Sequence, residues 1–68
     1  MKIFGERLKE LRLEKGLTQK ALAEHFFVKQ VTIVDWERRN MEPNYETLTK
    51  LAKFFNVSTD YLLGLSDD

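Results

Sequence analysis

Apolar side chains recur along this chain every three or four positions, the spacing of one face of an α-helix. Phe4, Leu8 and Leu11 stand at i, i+4 and i+7, with Glu6, Arg7, Lys9, Glu10 and Glu14 on the other side. This predicts a helix over 2–15, closed by Gly16 as a left-handed C-terminal residue. Leu13 falls off the stripe and is expected to stay partly exposed. Thr18 is a good N-cap for a short helix over 18–26 that buries Leu22, Ala23 and Phe26. A third helix over 30–38 turns Ile33 and Trp36 inward. Behind Pro43, Asn44 caps a fourth over 45–55, with the stripe Tyr45, Leu48, Leu51, Ala52 and Phe55 and Asn56 as its exit. Ser58 opens a fifth over 59–63, which stops at Gly64. Strand-like alternation is confined to the brief run Val31–Val34. The expected fold class is all-α, a compact domain of five helices without strands. Its core is expected to hold Phe4, Leu8, Leu11, Leu22, Phe26, Ile33, Trp36, Leu48, Leu51, Ala52, Phe55, Val57 and Leu62.

The second and third helices carry the most information. About three residues join them, and the small Ala23 lets them cross at close range. Leu22, Phe26, Val28, Ile33 and Trp36 would form the wedge between them. That is the physical recipe for a helix-turn-helix, whose second helix offers its N-terminal residues to base edges in the DNA major groove.

The run FGERLKELRLEKGLTQKALAEHF, followed by VTIVDWERRNMEPNYETLTKLAKFFNVSTDYLLG, resembles the phage repressor and Cro-type helix-turn-helix family, also called XRE-type. The resemblance covers residues 4–64. KGLTQ, LAE, TI, WER, EP, ETLTKLAK and VSTDYLLG all occur in order at the family spacing. It implies a lambda-repressor-like fold and a regulator that binds double-stranded operator DNA as a homodimer. By position it puts Gln30, Val31, Val34 and Asp35 on the base-reading face. Gln19, Lys29, Thr32, Arg38 and Arg39 fall within reach of the DNA backbone. It also implies an ion pair between Arg12 and Glu37 that ties the first helix to the third. The pattern departs from the family at several positions. Phe27 stands where the tight turn usually has glycine, so either the turn accepts a strain of roughly 1 kcal/mol or it changes shape. Lys29 replaces a serine or threonine cap. Val31, Val34 and Asp35 replace more common polar or basic residues, and Arg39 replaces a glycine.

Composition narrows the field further. The 68 residues contain no cysteine and one histidine, His25, so neither a disulfide nor a metal site is expected, and no cofactor. No apolar run approaches the ~18 residues of a membrane span. A reducing, cytoplasmic setting fits best. Eleven basic and eleven acidic residues cancel overall. All the bases fall in residues 1–53, a local balance of +3, whereas 54–68 carry Asp60, Asp67 and Asp68 alone. One end of the molecule can therefore attract phosphate. Glu6, Glu10 and Glu14 read as a solvated helix face. No nucleophile–base pair or phosphate-binding glycine loop is present, and a domain this small offers little room for an enclosed pocket, so an enzyme is not expected.

Phe27 and Phe54 are hard to bury once the helical stripes are filled, and exposed they would suggest a protein contact. Leu62, Leu63 and Leu65 cluster near the end of the domain, which is expected to span 1–64 with 65–68 as a tail or the start of a linker. Only part of that cluster can face the core. Leu65, with Phe54 or Tyr61, is a candidate two-fold contact. The alternative to a DNA-binding regulator is a protein-interaction module on the same scaffold, such as the antitoxin of a toxin–antitoxin pair.

Overall fold

Five helices follow one another in the computed structural model, which describes residues 3–67. They are α1 (Ile3–Glu14), α2 (Gln19–His25), α3 (Gln30–Arg38), α4 (Tyr45–Phe55) and α5 (Thr59–Leu63). No strand occurs among the described residues. Lys2, the expected start of the first helix, and Asp68, the end of the expected tail, lie outside them. No described helix is long and apolar enough to cross a membrane.

Each helix contributes one fully buried branched side chain: Leu8, Leu22, Ile33, Leu51 and Leu62. Burial of each stabilises the fold by about 2 kcal/mol. Around them pack Phe4, Leu11, Ala23, Trp36, Leu48, Ala52 and Phe55. Three expectations need correcting. Phe26 and Val57 are half-buried, because each sits just beyond a helix end at the border of the core. Tyr45 shares the helical spacing of Leu48 but is 89% exposed, since it opens α4 where that helix has not yet reached its neighbours. Leu13 is exposed, as its place off the stripe requires.

The helix ends follow a common chemistry. Thr18, Asn44 and Ser58 each accept the backbone N–H three residues on, at 2.9–3.0 Å. At the other end, four helices close with the same pair of bonds. Leu17, Val28, Val57 and Leu65 donate to the carbonyls of Arg12, Ala23, Ala52 and Asp60, five residues back. Gly16, Phe27, Asn56 and Gly64 donate to carbonyls three residues back and hold positive φ. This is the Schellman arrangement, which needs a left-handed residue. The turn before α3 therefore keeps the geometry that glycine would give it, and Phe27 takes the strained backbone (φ 57°).

Two features lock α1 against α3. A Cβ placed on Gly5 would lie 2.5 Å from the Glu37 carbonyl oxygen and 2.6 Å from that of Trp36, so the backbones touch where only glycine fits. At the far end of α1, Arg12 spans to Glu37 with a two-pronged contact. Its Nε donates to Oε2 at 2.7 Å and its Nη2 to Oε1 at 3.1 Å. Both side chains are buried. Arg12 Nη1 also donates to the Leu17 carbonyl at 2.8 Å, and Gln19 Nε2 donates to Glu37 Oε1 at 3.2 Å. No described buried side-chain polar atom lacks a partner.

Two outcomes are expected from urea denaturation. Gly5→Ala should destabilise the domain by well over 1 kcal/mol, although helix propensity alone favours alanine by about that amount. Glu37→Leu should cost about 3–5 kcal/mol because it strands a buried guanidinium, whereas Arg12→Met combined with Glu37→Leu should recover most of that loss. Strictly additive single and double variants would argue against the pair as a unit.

Candidate nucleic-acid interface

The outward side of α3 is built by what the inward side buries. Ile33 and Trp36 turn into the core, which leaves Gln30 and Val31 exposed and Thr32, Val34 and Asp35 half-exposed. Lys29 precedes the helix in extended conformation and makes no side-chain capping bond. The first turn of α3 thus lacks the side-chain acceptor that Thr18, Asn44 and Ser58 give α2, α4 and α5, and Thr32 N–H bonds the Lys29 carbonyl at 2.9 Å.

The expected backbone contacts distribute around this helix. Gln19 opens α2 and reaches Glu37 with one amide hydrogen, which fixes its side chain beside α3. Arg38 is the last residue of α3 and is exposed. Arg39 folds back so that its Nη1 donates to Asp35 Oδ1 at 3.2 Å. Asp35 and Arg39 thus form an i, i+4 pair, with Arg39 largely solvated. Sequence reasoning did not name Arg39 as the partner of Asp35, although the spacing of four residues signals it. It also missed Gly5, whose signal was a glycine in the middle of a helical stripe.

The candidate dimer residues have distinct surroundings. Leu65 is 74% exposed. Tyr61 is half-buried under the Arg7 guanidinium, whose carbon lies 4.2 Å from the ring centroid. Arg7 also donates to the carbonyls of Tyr61 and Ser66. Phe54 packs its ring against His25, Phe26 and Phe55.

The profile of the helix-turn-helix family matches residues 8–62, most of the chain. The chain belongs to the helix-turn-helix family. This helix-turn-helix chain is 47% identical over 61 residues to the HTH-type transcriptional regulator ImmR of Bacillus subtilis (strain 168), a match covering 90% of the chain and 48% of ImmR. It is 41% identical over 61 residues to Repressor protein C2 of Salmonella phage P22, again over 90% of the chain but 28% of the repressor. The chain thus spans half or less of these two relatives. Among solved structures, it is similar to the P22 c2 repressor crystallised with synthetic operator 9T in the presence of Tl+. The TM-score is 0.84 at 38% identity, over 97% of this chain and all of that one. The all-α, five-helix architecture expected from the sequence is the architecture of that repressor.

Proposed function

We propose that this domain binds operator DNA and regulates transcription, acting as a repressor on a palindromic site as a homodimer. One observation carries the reading. The exposed face of α3 is held on a buried α1–α3 frame, in a chain similar over 97% of its length to a repressor solved with a synthetic operator. The relatives' names point the same way, as a transcriptional regulator and a phage repressor.

In this reading Gln30 pairs with adenine N6 and N7, and the methyls of Val31 pack on a thymine C5-methyl. Val34 extends the apolar strip. Asp35 could accept from a cytosine amino group if Arg39 releases it, and until then Arg39 offsets its repulsion of phosphate. Gln19, Lys29, Thr32, Arg38 and Arg39 position the helix on the backbone and carry the salt dependence. Leu65, with Tyr61, supplies the two-fold contact. The two copies of α3 then stand about one DNA turn, ~34 Å, apart.

Selection from random duplex DNA should recover paired A/T-containing half-sites, and failure to enrich any sequence would overturn the reading. With that site in hand, replacing one thymine by uracil should weaken the parent protein and leave Val31→Ala nearly indifferent. Lys29→Ala should weaken binding to all sequences and flatten the dependence on log salt by about one phosphate's worth. Equal sensitivity of parent and Val31→Ala to every uracil position would exclude the methyl contact. For the dimer, sedimentation at high concentration should show association of the parent chain and a monomer for Leu65→Glu. Two monomers would mean that the contact is not intrinsic to these residues.

A further inference from the structure

Beside the turn that leads into α3, an open cleft of about 460 Å³ lies between α2 and α4. Phe26, Phe27 and Phe54 line it together with His25, and the Phe26 and Phe54 rings meet edge to face with centroids 5.5 Å apart. Phe27 is the unusual member. The residue is 94% exposed, so it adds almost nothing to the core, yet its backbone holds φ 57°. Glycine or asparagine occupies the equivalent position at the ends of the three other helices that close in the same way. A strained residue whose side chain returns no packing is an observation that points to function.

The charged residues that line the cleft are both lysines, Lys50 and Lys53, and the Lys15 ammonium stands 4.9 Å from the centroid of the Phe54 ring. Lys50 has an ion-pair partner in Glu46, but at 3.8 Å and with both side chains largely exposed that contact is weak. The whole chain is neutral, so this concentration of positive charge on an apolar floor is local. An occupant must therefore present an apolar group to the rings and carboxylates to the lysines.

We propose that this cleft docks an acidic segment of a partner protein, anchored by an aromatic or large aliphatic side chain between Phe27 and Phe54. Charge complementarity selects the acidic segment, and the aromatic walls select the anchor. Duplex DNA, which offers phosphates but keeps its bases stacked, supplies the charge without the anchor. The assignment does not depend on what α3 reads.

Random 12-residue peptides displayed on phage would be selected on the whole chain and counter-selected on Phe27→Gly. Enriched sequences should carry Asp and Glu on either side of Trp, Phe or Leu. The winning peptide, made synthetically, should shift the amide resonances of residues 25–27 and 50–54. Phe27→Gly should weaken it at least tenfold while its melting temperature stays at or above that of the parent, because glycine fits φ 57° without strain. Lys50→Glu combined with Lys53→Glu should lose the acidic peptide and gain its Lys-substituted counterpart. The proposal is overturned by an absence of enriched peptides, by enrichment of basic ones, or by tight binding that survives Phe27→Gly. It also fails if twelve-residue oligothymidine occupies the same residues more tightly than the peptide. Shifts at these residues on diluting the chain alone would assign the cleft to a second copy instead.

Discussion

A buried guanidinium cannot tolerate a vacant partner, and the arrangement of this domain's first three helices follows from that constraint. Arg12 directs its donors to Glu37 and to the Leu17 carbonyl, and Glu37 also accepts from Gln19. The end of α1, the loop after it, the start of α2 and the end of α3 therefore meet at one point. Desolvation makes such a cluster a poor source of net stability compared with apolar packing. Its value lies in geometry. A planar fork matched to a carboxylate admits few alternative orientations, whereas leucines tolerate many.

Much of this was legible in the amino-acid order because the signals were local. Apolar spacing marked each helix, and Thr18, Asn44, Ser58, Gly16, Asn56 and Gly64 marked most of the ends. Where reading by period went astray, the cause was tertiary. Tyr45 keeps the right phase on its helix, but no neighbouring element extends far enough to cover it. Phe26 has the spacing of a core residue, but it lies just beyond the end of α2 and lines a cleft. The Arg12–Glu37 pair was visible through family likeness alone, since nothing local links residues 25 positions apart. The aromatic cleft joins the end of α2 to α4, so no window of sequence contained it.

The turn before α3 shows how a backbone motif can outlast the residue that suits it. The two hydrogen bonds from Phe27 and Val28 are the same as those made at glycine or asparagine elsewhere in the chain. They hold the left-handed conformation despite the Cβ, which costs on the order of 1–2 kcal/mol. The turn into α3 therefore keeps its left-handed form, and the phenylalanine adds an exposed aromatic ring to the surface there.

Gly5 carries a different implication. Contact between α1 and α3 at that point is main chain against main chain, so its spacing requires glycine on α1 but no particular side chain on the outward face of α3. The exposed residues Gln30 and Val31 take no part in it. Text and typeface are thus decoupled: the surface of α3 can be rewritten by substitution while the frame that presents it stays in register. A lineage built on such a joint can change what it recognises without first having to rediscover how to fold.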